Sequence, residues 1–86
     1  MSTTTKPTIK IYSTASCVFC RAEKAWLDEH KLPYEAIMVD QDPKLADKLL
    51  EVSGGLSVPY TIITKDGKSQ GILGFDQPAL ASALGI

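Results

Sequence analysis

Both cysteines of the chain fall in one stretch, Thr14-Ala15-Ser16-Cys17-Val18-Phe19-Cys20-Arg21, three positions apart. It stands where a strand-like run gives way to a run of helix formers. If Cys17 sits just before a helix and Cys20 in its first turn, the two sulfurs face each other across one turn. A small disulfide ring can then close and open with little backbone motion. The free N–H groups of a first turn point toward the Cys17 sulfur, and the helix dipole adds partial positive charge. Both favour thiolate over thiol, and the thiolate is the reactive species. Arg21, four residues after Cys17, can add a full charge near the same sulfur. In such sites the nucleophile's pKa falls from ~8.5 to about 3.5–7.5, and the same direction is expected here.

Other readings of the pair are weaker. A zinc site needs about four ligands, and the chain offers two cysteines and one histidine, His30, far along the helix. Metal sharing between two chains would be required. A purely structural disulfide closing so short a loop would add little stability. A C-x-x-C beside a βαβ pattern points instead to redox chemistry.

The rest of the sequence sets the scale. Eighty-six residues make one domain. The formal net charge is −1, and no basic run supports nucleic-acid binding. Met1 to Pro7 is polar and lacks the apolar centre of a signal peptide. No stretch approaches transmembrane length. A cytoplasmic location is expected, where a C-x-x-C is more often catalytic than structural.

Residues 1–7 read as a flexible tail and 8–86 as the folded domain. Thr8 to Ser13 alternates, with apolar Ile9 and Ile11, and predicts a strand. Cys20 to about Lys31 is rich in helix formers, and Pro33 closes it. Trp26 is expected at the core margin and His30 near the helix C-terminus, where a cation is favoured. Tyr34 to Val39 predicts a second strand, its continuous apolar end suited to cover on both faces. Asp42 is an N-cap candidate and Pro43 suits the first helical position. Leu45, Leu49 and Val52, joined by Ala46 and Leu50, form an apolar helix face that ends at Gly54-Gly55. Lys44, Asp47, Lys48 and Glu51 are its solvated side. Ser57-Val58-Pro59-Tyr60 leads into a third strand over Thr61 to Thr64, and Asp66-Gly67 predicts a hairpin to a fourth, Lys68 to Leu73. Pro78 to Leu84 completes the chain as a short helix, with Asp76 a possible cap. The order β-α-β-α-β-β-α predicts an α/β fold. A right-handed crossover makes the first two strands parallel, the hairpin makes the last two antiparallel, and helices cover both faces.

From residue 8 onward the chain resembles the glutaredoxin branch of the thioredoxin superfamily. The residues that carry this are Cys17-x-x-Cys20 after the first strand, Ser57-Val58-Pro59 before the third, and Gly74-Phe75-Asp76 before the last helix. The resemblance implies a thioredoxin/glutaredoxin fold with Cys17 as the exposed attacking nucleophile and Cys20 as the resolving thiol. It implies a cis bond before Pro59, rare at roughly 5–6% of X–Pro bonds, which presents the Val58 backbone to an extended substrate. Gly74, Phe75 and Asp76 would line the other side of a groove, near where glutathione's carboxylate sits in glutaredoxins. Thr14, Val18, Phe19, Arg21 and Ser57 complete the implied substrate- or glutathione-binding set. An ordinary turn and helix cap is the competing reading of Gly74-Phe75-Asp76.

Two positions depart from glutaredoxins. Thr14 stands where they usually carry a Lys or Arg, and Leu73-Gly74-Phe75-Asp76-Gln77 replaces their Gly-Gly-x-Asp-Asp. Meanwhile Cys17-Val18-x-Cys20-x-Ala22-x-Lys24, Val39-Asp40-x-Asp42-Pro43 and Gly74-Phe75 resemble NrdH-type redoxins. Those take electrons from thioredoxin reductase and supply ribonucleotide reductase. That branch usually has Trp-Ser where this chain has Ile72-Leu73. Thioredoxins carry a buried carboxylate near the position of Ile11, as a proton shuttle, and this chain has none there.

The expected activity is dithiol–disulfide exchange on protein or glutathione-mixed disulfides by a monomer, with ribonucleotide reductase a possible acceptor. Glutathione or thioredoxin reductase would restore the dithiol, glutathione being a possible co-substrate. No metal or organic cofactor is required, and neither nucleic acid nor membrane is an expected partner. The rival from another class is an iron–sulfur carrier, a dimer holding a cluster through Cys17 and glutathione.

Overall fold

The computed structural model describes residues 7–86. Residues 1–6 of the expected tail lie outside the described residues. The elements are β1 (Thr8–Ser13), α1 (Val18–Glu29), β2 (Glu35–Met38), α2 (Pro43–Ser53), β3 (Tyr60–Lys65), β4 (Lys68–Leu73) and α3 (Gln77–Leu84). The strands form one sheet in the order β2-β1-β3-β4. β1 and β2 are parallel, and the β1–β3 and β3–β4 pairs are antiparallel. This is the mixed α/β architecture that the element order implied.

Side-chain alternation decides what each sheet face buries. Ile11, Thr61 and Ile72 lie in register on one face, as do Ile9 and Ile63. Ile9, Ile11, Ile63 and Ile72 join Leu27 of α1 and Leu80 and Leu84 of α3 in a single buried cluster. Burying each such side chain contributes about 1.5–3 kcal/mol. Trp26, Leu32, Tyr34 and Phe75 pack on its margin, as expected for Trp26. Tyr12 and Tyr60 alternate to the opposite face, their ring centroids 6.4 Å apart. There the Tyr60 hydroxyl donates to the Val52 carbonyl of α2 at 3.4 Å, and Leu49 is fully buried.

Local chemistry explains the boundaries. α2 begins where the Asp42 carboxylate accepts the Lys44 N–H at 2.9 Å, and ends at Gly54 with φ 80°. The β3–β4 hairpin turns through Asp66 and Gly67, both at positive φ. This is the twist-matched geometry that Asp-Gly supplies most readily.

Several boundaries and faces differ from the sequence reading, among them the start of α3, at Gln77 rather than Pro78. α1 begins at Val18 rather than Cys20, because Cys17 itself caps it, and stops before Lys31, which takes φ 57°. β2 is shorter than expected and is an edge strand, with Glu35 and Ala36 exposed, so it is not covered on both faces. β3 gains Tyr60 and Lys65 by pairing with Leu73 and Lys68. Leu50 is 49% exposed and does not join the buried face of α2; the i, i+4 row through Leu45 and Leu49 is turned away from it. Among the described residues, no helix is long and apolar enough to cross a membrane.

Candidate active site

The end of β1 delivers the chain to the cysteine turn. The Cys17 N–H donates to the Thr14 carbonyl at 3.3 Å. The Ala15 N–H donates to Asp40 Oδ2 at 3.1 Å. Cys17 then takes the N-cap position with extended backbone, and its Sγ accepts the Cys20 N–H at 3.1 Å. The sulfur thus occupies the place of a capping oxygen, where unpaired N–H groups and the dipole favour an anion. Cys17 and Cys20 are joined as a disulfide, their Cα atoms 5.2 Å apart.

The two sulfurs differ in access. Cys20 is fully buried, whereas Cys17 is half-buried rather than fully exposed. Between them Val18 and Phe19 are 71% and 66% exposed. Arg21 is exposed, and its guanidinium donates to the Ala15 carbonyl at 2.8 Å. Its hydrogen bond is to the loop two residues before Cys17. It braces the turn.

The other two motifs come to the same end of the sheet. Tyr12 pairs with Tyr60, so Pro59 stands just beyond the last β1–β3 pair, where β1 leaves for the cysteine turn. The Val58–Pro59 bond is cis, as the resemblance implied. Pro59 is buried, Val58 half-buried and Ser57 exposed. The Gly74 N–H donates to the Pro59 carbonyl at 2.8 Å, which ties the Gly74-Phe75-Asp76 loop to the proline. Phe75 packs edge-on to Trp26, with centroids 6.3 Å apart. Asp76 Oδ1 caps α3 by accepting the Ala79 N–H at 3.2 Å, so the turn-and-cap reading of this loop is realised. Thr14 offers no cation, and the rim is apolar at Val18, Phe19, Leu56 and Leu73, all more than 60% exposed. Among the described residues, no group of three or more His, Cys, Asp or Glu could hold a metal ion.

Two residues escaped the sequence reading. Asp40, which anchors the Ala15 amide, gives no local signal of that role. By sequence alone Glu23 reads as one of the helix formers of α1. It is fully buried under the cysteine turn, with Oε2 accepting from the Thr61 hydroxyl and Oε1 buried without a hydrogen-bond partner. Burial pushes its carboxyl above the usual range, and the Thr61 hydrogen bond offsets part of that rise. Here a signal did exist: Glu23 lies three residues after Cys20 and four before Leu27, on the one face of α1 that is buried.

A model of the glutaredoxin family matches residues 9–68, from β1 through the β3–β4 turn and across both cysteines and Pro59. The chain belongs to the glutaredoxin family. Within the family it is similar to the glutaredoxin-like protein NrdH of Lactococcus lactis, at 34% identity over 67% of this chain and 76% of that protein. The solved structure of the glutaredoxin-like NrdH-redoxin of Escherichia coli matches with a TM-score of 0.69 at 30% identity, covering 90% of this chain and 93% of that one. The Methanosarcina acetivorans methanoredoxin matches the fold, with a TM-score of 0.80 at 23% identity over 94% of this chain and 87% of that one. The chain is accordingly a glutaredoxin-like thiol–disulfide oxidoreductase of the NrdH-redoxin kind, with Cys17 and Cys20 as its Cys-x-x-Cys pair.

Proposed function

We propose that this redoxin reduces disulfides of partner proteins, drawing its electrons from a flavoprotein reductase of the thioredoxin reductase kind rather than from glutathione. The Cys17 thiolate attacks a substrate disulfide and forms a mixed disulfide. Cys20 attacks Cys17, releases the reduced substrate thiolate and leaves the internal disulfide seen here. A reductase dithiol then reopens it. The exchange uses no metal or organic cofactor. The disulfide of a ribonucleotide reductase is the proposed acceptor, because NrdH redoxins are among the relatives matched over most of their length.

One observation carries the choice of reductant. Among the described residues, the rim at the cysteine end is apolar and shows no built carboxylate-binding cation: Thr14 is neutral, and Arg21 is engaged with Ala15. Glutathione carries two carboxylates, and such a rim gives them little hold, whereas it suits the apolar surface of a protein. Val58 supplies backbone groups just outside the β3 pairing, where an extended segment of the partner can add as a strand. The test is a coupled assay of NADPH consumption with a ribonucleotide reductase disulfide as acceptor. Turnover with thioredoxin reductase and little with glutathione plus glutathione reductase is expected. The reverse preference sinks the proposal.

A further inference from the structure

In the dithiol cycle just described, Cys17 is activated by its place at the helix start, but Cys20 is not. Cys20 is fully buried in the first turn, away from the capping position. To attack the mixed disulfide it must first lose its proton, and no solvent reaches it. The fold supplies a group for that proton. Glu23 is one turn along α1, and side chains so spaced are neighbours, with Cβ atoms about 5–6 Å apart. Helical side chains lean toward the N-terminus, which sends the Glu23 carboxyl back toward the turn that carries Cys20. Its far side is fixed: Oε2 is held by the Thr61 hydroxyl, two residues after Pro59. Oε1 is left buried and unpartnered. A carboxyl in that condition destabilises the fold, and a leucine on this face would pack without that penalty.

We infer that Glu23 accepts the Cys20 proton as Cys20 closes on Cys17, and returns it when the internal disulfide is reopened. The inference rests on the dithiol reading above. In the closing step the Cys20 Sγ–H bond breaks and its proton passes to Glu23 Oε1. The Cys20 sulfur forms a bond to Cys17 Sγ, and the bond from Cys17 Sγ to the substrate sulfur breaks. The substrate leaves as a thiolate with the electron pair, and the two cysteines are oxidised. In the opening step a reductant thiolate attacks Cys17, Cys20 departs with its electron pair, and the Glu23 carboxyl protonates it. The two steps return Glu23 to its starting state.

The surroundings suit this role. The face of the sheet under Glu23 presents Ile11 and Ser13 from β1, Thr61 from β3 and Ile72 from β4, and α3 adds Leu80 and Leu84. None of these titrates. Tyr12 and Tyr60 face the other side. On the buried face of α1 itself, Cys20 and Leu27 are the other buried residues, and of these Cys20 is the one that titrates. Burial raises the proton affinity of the carboxyl toward that of a thiol, so transfer between them costs less than it would in water.

The test separates the two exchange steps. Reduced protein is mixed with dithiobis(nitrobenzoate) in stopped flow. The first coloured thiolate reports attack by Cys17, and the second reports closure by Cys20. Glu23→Gln keeps an acceptor for Thr61 but cannot take the proton. It is expected to slow the second release about a hundred-fold at neutral pH, to abolish its acidic inflection and to leave the first release unchanged. An unchanged second release and pH profile overturns the inference. If Glu23→Gln does not fold, Thr61→Val decides: the inflection of the second release moves to higher pH, and an unmoved inflection overturns the inference. Carbon-13-labelled glutamate in the unaltered chain gives an independent reading, since the Glu23 carboxyl titrates at different pH in the dithiol and disulfide forms. Equal midpoints overturn the inference. A protein that releases only one thiolate refutes the dithiol reading itself, and the Glu23 role falls with it.

Discussion

At the scale of single residues, three side chains divide the work: Cys17 at the cap, Cys20 in the closed first turn and Glu23 beneath it. Cys17→Ser leaves a hydroxyl at the cap, which holds the Cys20 N–H but does not attack disulfides at neutral pH. Activity in the coupled assay is expected to vanish. Cys20→Ser retains the nucleophile but cannot resolve the adduct, so a mixed disulfide with substrate accumulates and is seen by mass spectrometry. Full activity in Cys17→Ser would reverse the roles. Glu23 also has a signature in stability. Its carboxyl is pushed up by burial from the ordinary 4.5. The folded state therefore binds that proton more tightly than the unfolded chain does. The stabilisation is fully present below about pH 4.5 and is lost as pH rises through the folded-state value. Urea denaturation as a function of pH checks this. Glu23→Gln is expected to remove the decline and to be more stable than the unaltered chain above that range.

At the scale of elements, the close contacts are more exacting than the elements themselves. Gly71 of β4 lies under the Tyr60 ring, where an added Cβ would stand 2.7 Å from Tyr60 Cζ. Gly71→Ala must push the ring aside and strip its hydroxyl from the Val52 carbonyl. A loss of about 1–3 kcal/mol is expected by chemical denaturation. At the rim, Asp76 caps α3. Asp76→Ala is expected to cost about 1 kcal/mol, and Asp76→Asn, which still caps, nearly nothing. Reduction of a protein disulfide by Asp76→Asn at the ordinary rate would assign Asp76 to the cap and not to carboxylate recognition. These examples also mark where the sequence is legible. Asp42-Pro43 with Gly54, Asp66-Gly67 and the cysteine turn are encoded within a few residues, and each element they start or stop was readable. The edge position of β2 depends on strand order, which no local pattern carries. Leu50 is solvent-facing although its spacing suits the apolar face of α2, because apolar spacing alone cannot say which of two adjacent rows meets the sheet. Asp40 holds Ala15 across 25 positions of chain, and only tertiary structure brings them together. The three motifs of the site were readable singly. Their meeting at one end of the sheet follows from the register of Tyr12 with Tyr60 and the bond from Gly74 to Pro59.

At the scale of the whole molecule, the question is what brings a partner to the cysteine end. Long-range steering has little to act with, because the chain carries a formal net charge of −1 spread over nine basic and ten acidic residues. The end itself is apolar. Val18 and Phe19 lie between the cysteines, Leu73 ends β4 and Leu56 precedes Ser57, and each is largely exposed. Recognition there should rest on short-range burial. Association through charge falls steeply with ionic strength, so the rate with a protein disulfide is expected to change little between low and moderate salt. Phe19, an exposed aromatic beside the reacting sulfur, is the natural anchor, since aromatic side chains carry a disproportionate share of interface energy. Phe19→Ala removes that anchor while leaving the cap and both sulfurs in place. It is expected to raise KM for the protein acceptor about ten-fold, equivalent to about 1.4 kcal/mol, and to leave the first thiolate release from a small aromatic disulfide unchanged. Equal losses with both acceptors would mean that Phe19 supports the cysteine turn and not the partner. A steep salt dependence would place recognition on charged residues outside this apolar rim.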